Sequence, residues 1–159
     1  MFEIGNNIIY PMHGAGIIVG IEEKEIQGEV QNYYVIKIIT NNMQVLIPIN
    51  NITNSHIRAV ADKLSMEVVL DIFHNGETDK SLSWKHRYKI NSEKIKSGKL
   101  KEGAEVVRDL MRIENEKNLN SSDKQLLNTA RKILVGELRL IRGISEVQAT
   151  DLLKINNPV

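Results

Sequence analysis

The chain has 159 residues, 42% of them apolar and 26% charged, with a net charge of +1 and no cysteine. That length makes one ordinary domain or two small ones, and the apolar share is enough for a core. The missing thiols exclude disulfides, thiolate zinc sites and cysteine nucleophiles. No stretch resembles a signal peptide or the roughly 20 apolar residues of a membrane helix, so a cytoplasmic protein without membrane contact is expected.

The first 55 residues read as strands. "NIIYP" stops at Pro11 and "MHGAG" reads as a loop carrying Gly14 and Gly16. "IIVGIEE" and "QNYYVIKII" are β-branched runs joined through "KEIQGEV", where Gly28 suits a hairpin turn. Asn41-Asn42 then predicts a tight two-residue connection into "MQVLIP", which ends at Pro48. Four or five short antiparallel strands with tight turns predict a small barrel, because closure removes exposed edges.

After "INNITNSHIRAVADK" the period changes to that of helices. "SMEVVLDIFHNG" predicts Ser65 as N-cap, an apolar face of Met66, Val69, Leu70 and Phe73, and a stop at Gly76. "SWKHRYKINSEKIKSG" starts at Ser83 and stops at Gly98. "EGAEVVRDLMRIENEKN" puts Ala104, Val107, Leu110, Met111 and Glu114 on one side. Ser122 and Gln125 have capping-box spacing in a helix ending at Gly143, and Ser145 with Gln148 repeats the spacing in "SEVQATDLLKI". The class is α+β: a small antiparallel barrel over residues 1–55 and an all-α bundle of about five helices over 56–159.

Charge divides the same way. Residues 1–55 hold Lys24 and Lys37 against five glutamates. The stretch from Lys80 to Lys101 holds eight cations against Glu93 alone. Halves of opposite sign suggest different partners. Catalysis has no positive support. The four histidines lack metal-ligand spacing, and the glycines near residue 20 lack the context of a dinucleotide loop. No cofactor, metal or catalytic residue is expected.

The only tryptophan, Trp84, opens the basic helix beside Lys85, His86, Arg87 and Lys89. Trp84, Tyr88, Asn91 and Ile95 share one stripe, and Lys85, Lys89 and Lys96 another. One reading packs Trp84 and Tyr88 into the bundle and leaves the lysines solvated. The other makes the indole an apolar wedge for a base step, with the cations neutralising phosphates. The stripe is thin and the tryptophan stands at the end of its element, so both readings stand on the residues alone.

Long blocks in order carry a family resemblance: "IGNNIIYPMHGAGIIVGIEEKEIQGE", "YYVIKI", "IPINN", "WKHRYKINSEKIKSGKL", "AEVVRDLMR" and "ARKILVGEL". The chain resembles the CarD/CdnL family of bacterial transcription regulators over essentially its whole length. Its first half also resembles the module of transcription-repair coupling factors. The resemblance implies a Tudor-like barrel that docks on the RNA polymerase β subunit and a helical domain that contacts promoter DNA. It places Trp84 in the minor groove at the upstream edge of the melted bubble, where the indole stabilises the open complex. Lys85, Arg87, Lys89 and Lys124 correspond to backbone contacts. Lys24, Val45, Leu46 and Ile47 correspond to the polymerase-binding face.

Two departures stand out. Leu46 replaces an arginine common on the last barrel strand, and Arg112-Ile113 with Met111 replaces a more basic, aromatic pattern. His86 also stands where a permanent cation is common, so weaker DNA affinity is expected. A monomer associated with the nucleoid through polymerase is expected, with little sequence specificity. The alternatives are an autonomous nucleic-acid-binding barrel, using Tyr33 or Tyr34 as its platform, and a protein-interaction adaptor without a DNA role.

Overall fold

The computed structural model describes residues 1–155, so the last four residues of the expected helical part lie outside the described chain. Five antiparallel strands come first: β1 (Asn7–Tyr10), β2 (Gly14–Ile26), β3 (Glu29–Ile38), β4 (Gln44–Pro48) and β5 (Arg58–Ala59). They lie in the order β4-β3-β2-β1-β5. Ile8, Ile18, Tyr34, Ile36, Ile38, Ile47 and Ile57 converge on one interior, giving the small wrapped sheet that the strand pattern predicts, Tudor-like as the family resemblance implies. Among the described residues no ladder joins β4 to β5, so the wrap is open at that seam.

Two details of the strand reading change. "MHGAG" is not wholly loop, because Gly14 and Gly16 belong to β2. A Cβ on Gly16 would lie 2.9 Å from Ile36 Cγ2 and 3.0 Å from the Lys37 carbonyl oxygen. Glycine is there because a neighbouring strand crosses closely, a use that sequence does not separate from a turn. The β3–β4 connection is longer than two residues: it spans 39–43, with Asn42 at φ 57° and its amide on the Ile38 carbonyl. The β2–β3 turn is the tight one, two residues between the paired Ile26 and Glu29.

The helices are α1 (Lys63–Asn75), α2 (Trp84–Ser97), α3 (Leu100–Glu116), α4 (Ser121–Arg142) and α5 (Glu146–Leu152). Met66, Val69, Leu70 and Phe73 are buried as their spacing predicts. Asp62, not Ser65, caps α1, and its carboxylate accepts the Ser65 amide at 2.7 Å. That hydrogen bond, with a smaller contribution from the Ser65 side chain, lowers the Asp62 pKa. Asn120, not Ser122, caps α4. In both cases an equally good capping residue lies upstream of the serine, where the helix begins. Ser145 and Gln148 do form both bonds of a capping box. On α3, Glu114 is exposed, while Val106, Arg108 and Ile113 join the core.

The two halves meet along α4, which packs on β1 and β2. A Cβ built on Gly136 of α4 would lie 3.1 Å from Ala15 of β2. Gly98, at the C-terminus of α2, has φ 70° and sits under Pro11, whose Cγ would be 2.7 Å from an added Cβ. Gly98→Ala is therefore expected to cost about 1–2 kcal/mol from the left-handed backbone alone, with further loss from the clash. Thermal melts would show this as a lowered midpoint.

Candidate nucleic-acid interface

The lead-in to α2 is held before the helix begins. Arg108 of α3 donates to the Ile72 carbonyl at 3.1 Å, to the Glu77 carbonyl at 2.8 Å and to Asp109 at 2.9 Å. Arg112 donates to the Gly76 and His74 carbonyls and to Thr78 Oγ1 at 3.0 Å. The two arginines thus satisfy the His74, Gly76 and Glu77 carbonyls at the end of α1 and in the following linker. They also add a second donor to the Ile72 carbonyl, which already accepts the Gly76 amide. Arg112, read from sequence as a remnant of a DNA-facing pair, is committed to the linker instead. Further along, Asp79 accepts from the Ser81 hydroxyl and amide, and these bonds, the hydroxyl first, lower its pKa. Ser83 then caps α2 by accepting the His86 amide.

The N-terminal half of α2 buries no apolar side chain. Trp84 is 54% exposed, and Tyr88 and Ile90 are also exposed. Lys85 Nζ lies 5.7 Å from the Trp84 ring centroid, within cation–π range. Of the four stripe residues, only Asn91 and Ile95 turn inward.

Arg87 takes the other course. Its side chain is 12% exposed and donates to Asp123 Oδ2 at 2.6 Å, with Asp123 fully buried at the start of α4. Arg87 Nε, Asn91 Nδ2 and Asp123 Oδ1 find no partner among the described residues. An ion pair in a polar seat, not apolar packing, fixes this end of α2. Lys124, next in sequence to Asp123, is exposed in the first turn of α4.

The cationic stretch is less uniform than its sequence suggests. Lys80 pairs with Glu116, Lys94 lies 3.7 Å from Glu105, and Arg87 is taken by Asp123. Among the described residues, Lys85, Lys89, Lys96, Lys99, Lys101 and Lys124 carry no ion pair. Of these, Lys85 and Lys89 share the N-terminal part of α2 with Trp84, and Lys124 follows Asp123, the partner of Arg87.

On the sheet, Leu46 is 36% exposed and points outward from β4, an edge strand whose inner side pairs with β3. Val45 is half-buried and Ile47 is buried in the sheet core. The Ile38 amide on the Met43 carbonyl sets the phase of this ladder, so the Val45 and Ile47 backbone groups face β3 and those of Leu46 face the free edge. Lys24 is exposed on the β2–β3 ribbon, beyond the end of the β3–β4 ladder and 3.7 Å from Glu22. Tyr33 and Tyr34 are both buried, so neither forms an open stacking platform. No group of His, Cys, Asp or Glu among the described residues has the arrangement of a metal site.

An antiparallel Tudor-like sheet is followed by a helical bundle with an exposed aromatic-cationic tip, and comparison with known proteins places this architecture among transcription regulators. Residues 2–61 match the model of the CarD-like/TRCF RID domain, and residues 68–154 match that of the CarD C-terminal domain. The chain is 55% identical over 148 residues to "Putative transcription factor YdeB" of Bacillus subtilis (strain 168), covering 93% of this chain and 97% of that protein. The chain belongs to the CarD family of transcription regulators.

Proposed function

We propose that the chain binds the RNA polymerase β subunit through the β4 edge and props open the upstream end of the melted promoter with Trp84. Residues 1–55 would carry the tether and 56–159 the DNA contact, with β5 completing the sheet from the helical side of that boundary. The observation that carries this is the exposed indole at the end of α2, with the unpaired Lys85 and Lys89 on the same helix and Lys124 on α4. An apolar ring at a helix tip suits insertion at an unstacked step, and the adjacent ammoniums suit its phosphates. Arg87 has a different part in this proposal, since its guanidinium is spent on Asp123 and positions the tip.

The free edge of β4 supports strand addition to a partner's sheet, with outward Leu46 as an apolar contact where a charge is common in the family. The autonomous-barrel alternative is disfavoured by the burial of Tyr33 and Tyr34, because base stacking needs an open ring face.

The test separates tether from wedge. Leu46→Asp puts a charge on the docking edge with little cost to the fold. It is expected to abolish open-complex stabilisation at low protein concentration and to regain it at high concentration, because a tether acts as effective concentration. Wild-type potency in Leu46→Asp would remove β4 from the interface.

A further inference from the structure

We propose that Arg58 and Glu137 are positioning residues, a latch that fixes α2 to the sheet so that the Trp84 tip stands at a set place relative to the polymerase-binding edge. The inference rests on the tether-and-wedge function above, and adds what makes one module's docking useful to the other.

Three elements meet at one guanidinium. Arg58 on β5 donates from Nη1 and Nη2 to the two oxygens of Glu137 on α4, both at 2.7 Å. Its Nε donates to the Gly98 carbonyl, at the end of α2, at 2.7 Å. Glu137 is 1% exposed and also accepts the Ala61 amide at 2.9 Å. A paired fork in a buried setting has one geometry, unlike a surface ion pair between mobile side chains.

The surroundings allow little slack. Ile9 and Pro11 of the sheet half face Ile95, Ala130 and Leu134 of the helices around a cavity of only about 30 Å³. Pro11 closes on Gly98, the residue whose carbonyl Arg58 holds. The sheet thus grips α2 by its C-terminal end, the end opposite Trp84. The second fixed point is Arg87 on Asp123, which ties the N-terminal half of α2 to α4. Glu137 and Asp123 lie on the same helix, so α4 is the common frame for both.

Lever geometry sets the tolerance. The 14 residues of α2 make an arm of about 21 Å. Arg87 ties the arm to α4, so without the latch the bundle and the arm would tilt together on the sheet. About 10° at the Gly98 end would move the tip by about 4 Å, comparable with the roughly 3.4 Å rise of one base step. An unlatched bundle would place its indole on the right step only part of the time. Trp84 supplies the contact, and the Arg58–Glu137 pair supplies its address.

The chain has no cysteine, so Lys37→Cys on β3 with Glu93→Cys on α2 gives a clean pair of spin labels for pulsed dipolar distance measurement. The latched protein should give one narrow distance. Glu137→Gln, which removes the charge at constant size, should broaden it while the melt stays cooperative. The same substitution in the unlabelled full chain, at saturating polymerase occupancy, should shorten open-complex lifetime at least threefold. Arg58→Lys, which keeps the charge but loses the fork, serves if Glu137→Gln does not fold. A merely structural role would lower the melting midpoint without broadening the distance. An unbroadened distance, or a broadened one with unchanged lifetime, overturns the latch. Trp84→Ala in the same lifetime assay keeps the two ideas apart: no effect there sinks the wedge, whereas the distance measurement still tests the latch.

Discussion

Trp84→Ala should shorten the lifetime of the promoter open complex about tenfold, equivalent to about 1.4 kcal/mol, with almost no change in the protein's own stability. Both halves follow from where the ring sits. A side chain 54% exposed at the first turn of a helix contributes little to the core, and such surface changes usually fall within about 0.5 kcal/mol. A base stacked on an aromatic ring is worth about 1–3 kcal/mol, so removal of the ring accounts for a tenfold change in lifetime. Trp84→Phe should fall between, since it keeps an apolar face of smaller area. Excess protein should not rescue Trp84→Ala, in contrast to Leu46→Asp, because the defect lies in the bound complex. Competitor-challenge decay of open complexes measures the first half, and thermal melting the second.

Neighbouring cations on α2 should give opposite phenotypes. Arg87→Ala strands the buried Asp123 carboxylate, and removing one partner of a buried pair typically costs about 3–5 kcal/mol. Its main readout is a lowered melting midpoint. The double substitution Lys85→Ala/Lys89→Ala leaves the core untouched and removes two ammoniums placed to meet phosphates. The slope of log affinity against log salt should then shrink by roughly 0.9 for each phosphate no longer neutralised, with the midpoint unchanged. Reversal of these outcomes, with Arg87→Ala altering the salt slope at constant stability, would mean that the guanidinium leaves Asp123 to reach DNA.

Local chemistry was legible in the sequence and long-range chemistry was not. Ser83, Gly98, Gly143 and the Ser145–Gln148 box mark helix ends because capping is decided within a few residues. Ser65 and Ser122 misled because Asp62 and Asn120 lie just upstream and accept the same kind of orphan amide. The α2 stripe could not be resolved by periodicity: polar Asn91 is buried while Trp84 is exposed, the reverse of their hydrophobic ranking. Arg87 is drawn inward by Asp123, 36 residues further on, and no local pattern connects them. The same holds for Arg108 and Arg112, whose side chains serve the end of another helix, and for Glu137, whose partner Arg58 is 79 residues away. The family resemblance suggests a role for the tryptophan, and the geometry separates the exposed lysines without an ion pair from the arginine that holds the helix.

The proposed wedge requires the Trp84 indole to meet unpaired bases at one end of the bubble. Promoters carrying 2-aminopurine at successive positions would test it, compared with wild-type protein and Trp84→Ala on the same polymerase. Quenching confined to a step at the upstream edge, and absent with Trp84→Ala, is the expected result. Equal fluorescence for the two proteins at every position would contradict it.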